Sequence, residues 1–249
     1  LATVRLPETI ERGLEAIAAD GEHGAAELYA RVLELAGGLP PDRLAQFGRR
    51  LLVARRDMAP LVNLALALEG SPDPEGELRR RVAVSKLAPG WIVSEARAII
   101  GSGRRVVTVS RSSTALAVLA ALKPALVLCL ESLPGGEGRR AAADLKTGGV
   151  RVELVPDDGL KGAVRRVELG LCGADVVTER AVVNKVGTLR LAEGLSALGR
   201  PLYVVADRAK FLPADYYEPP EPGGPFEEVP RSLVERVIDG SDDDREIVR

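Results

Sequence analysis

From Arg104 onward, apolar residues come in short unbroken runs separated by stretches of helical spacing, and this alternation constrains the fold more than any other feature. The runs Arg105–Val109, Ala125–Glu131, Arg151–Pro156, Leu169–Asp175 and Leu202–Asp207 are rich in valine and leucine without polar alternation. Strands buried on both faces read this way. Between them, Ser113–Leu122, Glu137–Gly148, Gly159–Val167 and Gly187–Gly199 have helical character. Strand–helix alternation of this kind predicts an α/β fold with a doubly wound parallel sheet, helices lying on both faces.

The first part of the chain has a different texture. From Pro7 to about Ile100 the apolar spacing is helical: Ile10, Leu14, Ile17 and Ala18 fall at i, i+4, i+7 and i+8, and Ala26–Leu35 repeats the pattern. Pro40-Pro41 opens another helix through Leu51 and Leu52, and Pro60 sits in the first turn of the next, where proline costs little. After the loop Gly70–Pro74, a long helix runs from about Glu75 to Ile100, with a break or kink expected at Pro89-Gly90. The expected organisation is an N-terminal helical domain over residues 1–103 and a Rossmann-like domain over 104–249.

Charge narrows the class of partner. With 34 basic against 36 acidic residues the net charge is −2, which argues against a duplex-coating nucleic-acid binder, and no direct nucleic-acid partner is expected. A single basic pocket for a small anion remains compatible with that balance. The two cysteines, Cys129 and Cys172, lie inside apolar runs, which predicts buried free thiols in a reduced compartment. No apolar stretch approaches the roughly 20 residues of a membrane span, and no signal-peptide pattern is present. A cytoplasmic protein without a membrane partner is expected.

In a doubly wound sheet, ligands bind outside the carboxyl ends of the strands, so the residues after each strand carry the search. The first strand runs into Thr108-Val109-Ser110-Arg111-Ser112-Ser113-Thr114. Hydroxyls, helix-terminal amides and a guanidinium converge there as a phosphate needs, although plain N-capping by Ser112 or Ser113 would use only one of them. The second strand is followed by Glu131-Ser132-Leu133-Pro134 and then Gly135-Gly136-Glu137-Gly138, glycines that admit a ligand to the backbone or simply make a turn. After the fourth comes Gly173-Ala174-Asp175, whose carboxylate either exchanges protons or caps a turn. Asn184-Lys185-Val186-Gly187-Thr188 places an amide and an ammonium at a helix entrance, and Lys210 adds a cation just past the Leu202–Asp207 strand.

Several chemistries find no support. The lone histidine, His23, has no cysteine nearby, so no metal site is expected, and one histidine cannot complete a Ser–His–Asp set. No Walker loop or dinucleotide fingerprint occurs, and no cofactor is expected.

These residues resemble the family containing the alpha, beta and delta subunits of translation initiation factor 2B, together with aldose–ketose isomerases for ribose 1,5-bisphosphate and 5-methylthioribose 1-phosphate. The resemblance runs through Asp20–Leu28, Ala54–Asn63, Thr108–Ser113, Glu131–Gly138, Gly173–Asp175, Val183–Thr188 and Phe226–Pro230. The pairing of Gly-Ala-Asp with Asn-Lys-Val-Gly-Thr is its most specific part. It implies a helical domain packed on a Rossmann-like domain with the ligand in the cleft between them. It also implies a homodimer or a dimer-based hexamer.

The resemblance assigns roles residue by residue. Asp175 matches the isomerases' acid/base aspartate, Asn184 and Lys185 their sugar- and phosphate-contacting pair, and Arg55 an arginine supplied by the helical domain. Glu137 stands where methylthioribose-phosphate isomerases carry glutamine. Ser110 stands at the isomerases' catalytic cysteine, as in the initiation-factor subunits. Val109 replaces the usual histidine, Leu133 a frequent arginine, and the isomerases' Arg-Gly-Ala segment is missing. A serine hydroxyl is a poor substitute for an acidic thiol beside a carboxylate. The expected function is therefore binding of a phosphosugar or nucleoside monophosphate by a regulatory-type member lacking the catalytic cysteine. The alternative is an isomerase of a sugar 1-phosphate. The expected ligand contacts are Arg55, Arg111, Ser112, Ser113, Glu137, Asn184, Lys185 and Lys210, with Asp175 and Ser110 at the catalytic positions.

Overall fold

The computed structural model describes residues 5–20, 24–56 and 58–241, which form two compact units. His23, Asp57 and the acidic run 242–244 lie outside the described residues. One unit extends up to Leu87 and takes in Ala209–Tyr216; the other comprises Ala88–Arg208 and the chain from Tyr217 onward.

The first unit is helical, built from α1 (Glu8–Ala19), α2 (Ala25–Gly37), α3 (Pro41–Ala54), α4 (Ala59–Gly70) and the first half of α5 (Pro74–Ile100). The stripe Ile10, Leu14 and Ile17 is buried, and it joins Leu28, Phe47, Leu51, Leu61, Leu64 and Leu68 in one core. Burying each such side chain contributes roughly 1.5–3 kcal/mol, which outweighs helix propensity in helices this short. At Gly48 a β-carbon would sit 2.7 Å from the Ala65 carbonyl oxygen, so α3 and α4 approach backbone to backbone. The returning segment Ala209–Tyr216 is fastened by Asn63, whose Nδ2 donates to the carbonyls of Ala209 and Phe211, each at 2.7 Å.

In the second unit the chain forms β1 (Arg105–Thr108), α6 (Ser113–Leu122), β2 (Leu126–Leu130), α7 (Glu137–Thr147), β3 (Val152–Val155), α8 (Leu160–Arg166) and β4 (Leu169–Cys172). It continues through β5 (Val176–Val177), β6 (Ala181–Lys185), α9 (Thr188–Ser196), β7 (Leu202–Val205), β8 (Phe226–Pro230) and β9 (Arg236–Ile238). Six strands make a parallel sheet in the order β3-β2-β1-β4-β7-β9. The predicted α/β class and the five predicted strands of this sheet are present. Val106, Val127, Cys129, Leu169 and Leu171 pack against Ile92, Ala96 and Ile100 of α5 and against Leu119 and Leu122 of α6.

Three features differ from the sequence reading. α5 runs for 27 residues through Pro89 without a break in the helix, although proline cannot close the bond to the Ser85 carbonyl. Its two ends are held in separate cores, by Leu78 in one and by Ile92, Ala96 and Ile100 in the other. The division between the units consequently falls inside α5, at Leu87/Ala88, rather than after residue 103. Finally, β5, β6 and β8 form a small antiparallel sheet of their own, in that order. Their sequences are too short or too polar to stand out as apolar runs.

Candidate functional site

β1 is the hinge of the large sheet's winding: β2 and β3 extend to one side of it, β4, β7 and β9 to the other. The crevice of such a fold opens outside the carboxyl ends of the two strands where the order reverses, here β1 and β4. Behind β1, Ser110 adopts a left-handed backbone with φ 65°. Ser112 then caps α6, its Oγ accepting from the Ala115 amide at 3.3 Å. The cap satisfies a single donor, and the other first-turn amides of a helix have no intrahelical partner, the chemistry an anion can use.

The loop after β4 presses against this cap. A β-carbon on Gly173 would lie 2.4 Å from both Cβ and Oγ of Ser112, so only a residue without a side chain brings the two loops this close. Asp175 follows, its amide donating to the Val183 carbonyl at 2.9 Å and so tying the β4 loop to β6. The end of β6 supplies Asn184 and Lys185, buried to 4% and 5% exposure. Asn184 Nδ2 donates to Thr188 Oγ1 at 3.0 Å, and that hydroxyl donates to the Lys185 carbonyl at 2.6 Å. Gly187, with φ 99°, makes the turn into α9 in a backbone that favours glycine, and a β-carbon there would be in ordinary contact, at 3.9 Å, with Cγ2 of Val109 just past β1.

Lys185 reaches the loop after β2. Its Nζ donates to Glu137 Oε1 at 2.8 Å, at the first residue of α7, where the helix dipole favours a carboxylate. Glu137 Oε2 is buried and has no hydrogen-bond partner. Gly138 behind it lies so near the Leu130 carbonyl that any β-carbon would collide at 1.7 Å, which fixes the start of α7 against the end of β2. Ser112, Asp175 and Lys185 therefore share one edge of one unit, connected through the Gly173–Ser112 approach and the Asp175–Val183 bond to β6.

Other expected residues are engaged elsewhere. Arg111 Nε donates to Asp144 Oδ2 at 2.7 Å, on the third turn of α7. Arg55 belongs to the helical unit, where its Nη1 donates to the carbonyls of Ile17 and Asp20 at 3.1 and 2.9 Å and closes the end of α1. Lys210 is buried in the Ala209–Tyr216 segment of that same unit. Cys129 and Cys172 are both buried and free, and desolvation pushes each thiol up to about 12. A hollow of about 200 Å³ lies at the opposite edge of the sheet, lined by Ile100, Arg104, Glu168, Leu169 and Tyr203. Among the described residues no cluster of His, Cys, Asp or Glu suits a metal ion, and no helix is long and apolar enough to cross a membrane.

Sequence reasoning gave no role to three residues of this edge: Ser132, Asp157 and Thr188. Ser132 is 2% exposed and left-handed with φ 61°, and its Oγ accepts from the Ser110 amide at 2.7 Å. The Asp157 carboxylate accepts from the amides of Ser132 and Leu133, each at 2.8 Å. Asp157 follows β3, so the same search of strand ends would have reached it.

Comparison with known proteins agrees with the architecture. The model of the initiation factor 2 subunit family matches residues 78–222. A translation initiation factor eIF-2B subunit 2-like protein of Pyrococcus abyssi is 30% identical over 201 residues, covering 76% of this chain and 72% of that protein. Ribose 1,5-bisphosphate isomerase of Archaeoglobus fulgidus is 27% identical over 204 residues, covering 76% and 65%. Among solved structures, translation initiation factor eIF-2B of Pyrococcus horikoshii OT3 superposes with a TM-score of 0.77 at 24% identity, over 95% of this chain and 96% of that one.

Proposed function

This chain belongs to the initiation factor 2 subunit family, and we propose that it is a regulatory-type member that binds a phosphorylated small molecule, a sugar phosphate or a nucleoside monophosphate, at the carboxyl edge of its parallel sheet. The observation that carries the reading is the ion pair of buried Lys185 with half-buried Glu137, at the same strand-end edge as the capped start of α6. The amides of α6 and the hydroxyls of Ser110 and Ser113 suit a phosphate, and the Lys185 ammonium supplies the charge. A bare anion would be repelled by Glu137. Its buried, unpartnered Oε2 calls for a donor, and a ligand hydroxyl from a sugar ring provides one.

Binding without turnover is favoured by the state of the thiols. Both are buried and held up to about 12, so neither offers a thiolate near neutral pH. Ser110 keeps an alcohol where an acidic group is needed to open a blocked sugar ring. The isomerase reading rests on the likeness to the Archaeoglobus ribose 1,5-bisphosphate isomerase and on Asp175 at the crevice. The proposed assembly is a cytoplasmic homodimer or dimer-based hexamer, which light scattering on the purified protein tests.

Calorimetric titration with ribose 1,5-bisphosphate, ribose 5-phosphate and AMP, each paired with an isomerase assay, decides between the readings. Micromolar binding of at least one without conversion is the expected result. Conversion of ribose 1,5-bisphosphate would install the isomerase instead, and failure to bind any of the three would discard the site.

A further inference from the structure

Two non-glycine residues at the sheet's carboxyl edge hold left-handed backbones, Ser110 after β1 and Ser132 after β2. Such a conformation is unfavourable for a residue with a β-carbon and persists only where its surroundings enforce it. The two positions follow the ends of adjacent strands, because β1 and β2 pair in parallel register up to Thr108 and Cys129. They are also bonded to each other: the Ser110 amide donates to Ser132 Oγ at 2.7 Å, and that hydroxyl's own proton goes to the Leu130 carbonyl at 3.2 Å. Ser132 is held in turn by Asp157, just past the third strand of the row, whose two carboxylate oxygens separately take the amides of Ser132 and Leu133.

We infer that Ser132 and Asp157 are positioning residues, a hydrogen-bonded relay across the ends of β3, β2 and β1 that fixes the backbone of Ser110 and hence the approach to the α6 anion site. The inference rests on the proposed binding at that edge but concerns different residues. The direction of every bond supports it. A carboxylate can only accept, so Asp157 must take amide protons; a hydroxyl accepts and donates at once, so Ser132 passes the constraint onward. The Ser110 amide is thereby committed to the relay, which leaves the Ser110 side chain and the first-turn amides of α6 as the groups turned to a ligand. A plain turn would need none of this, since glycine adopts both conformations freely.

The test uses the full chain and two readouts. Amide hydrogen exchange without ligand reports the relay itself. In Ser132→Ala and in Asp157→Ala the Ser110 amide is expected to exchange roughly tenfold faster or more, while amides inside β1 and β2 keep their protection. Ser132→Gly separates hydroxyl from strain: it relieves the left-handed backbone yet should still free the Ser110 amide. Calorimetry with ribose 1,5-bisphosphate reports the consequence, and these variants are expected to bind about tenfold more weakly, as for loss of one well-placed hydrogen bond. Unchanged exchange at Ser110 in both alanine variants overturns the relay. Faster exchange with affinity within twofold of the parent protein overturns its positioning role. If the parent protein itself fails to bind the probe, the proposed function falls, and the exchange data alone decide whether the relay stands.

Discussion

The contact between Gly173 and Ser112 offers the sharpest test of how the crevice is built. In Gly173→Ala the added methyl would meet Cβ and Oγ of Ser112 at 2.4 Å, about an ångström inside ordinary contact. Gly173 has no left-handed backbone to lose, so the cost is purely steric. Overpacking of this kind costs about 1–3 kcal/mol, and a displaced Ser112 also gives up part of the α6 cap, itself worth about 1 kcal/mol. Replacing Ser112 by glycine removes both clashing atoms and costs only a few tenths of a kcal/mol as a cap. The next atom that the methyl would face is the Cα of residue 112, at a comfortable 3.9 Å. The double variant should therefore be more stable than Gly173→Ala alone, with a coupling of about 1–2 kcal/mol in its favour. Urea denaturation followed by Trp91 fluorescence suits the measurement, because the sole tryptophan lies in the second unit. Costs that simply add, to within about 0.5 kcal/mol, would refute the packing of the two loops.

Three further outcomes are expected. Lys185→Ala should weaken sugar-phosphate binding by about 1.5–3 kcal/mol in calorimetry, as for loss of a bond to a charged group; an unchanged affinity removes Lys185 from the site. Glu95 is buried and accepts from Arg236 and from the Gly240 amide, each at 2.8 Å, so Glu95→Ala should cost the second unit about 1–3 kcal/mol by stranding that amide, measured by urea midpoint. Each thiol ionises near 9.0 in an unfolded chain but only near about 12 when folded, so the folded state holds the extra proton between those values. Stability is thus full below about pH 9 and falls as pH rises through that window, by up to about 1.4 kcal/mol per unit for each thiol. Urea midpoints from pH 8 to 10.5 check the slope, which Cys172→Ala should flatten, and a thiol reagent at pH 8 should label neither cysteine before unfolding.

What the sequence disclosed follows from what burial demands. Valine- and leucine-rich runs had no solvated alternative, so β1, β2, β3, β4 and β7 were legible, as was the Ile10–Leu14–Ile17 stripe of α1. β9 has three residues and β5 two, and the alternating Phe226–Pro230 strand is mostly exposed, so none of them stood out as an apolar run. At the candidate site, a strand end followed by hydroxyls, a carboxylate or a cation pointed to Ser112, Asp175 and Lys185 as candidates, and these fall at one edge of the second unit. It did not find Ser132 and Asp157, because their importance lies in which amides they face, and that depends on neighbours 22 and 25 residues away. The same limit applies to Arg111 and Arg55, whose partners Asp144, Ile17 and Asp20 are set by tertiary contacts rather than by spacing.

The return of Ala209–Tyr216 to the helical unit, fastened by Asn63, has a bearing on synthesis. A ribosome delivers almost all of the helices first, yet that unit lacks its last piece until residue 216 has emerged. By then β1 to β7 are already out, while β9, which completes the large sheet's edge, is still to come. Both units therefore receive their last pieces only after Arg208 has been made, and no single cut in the polypeptide can release either of them whole.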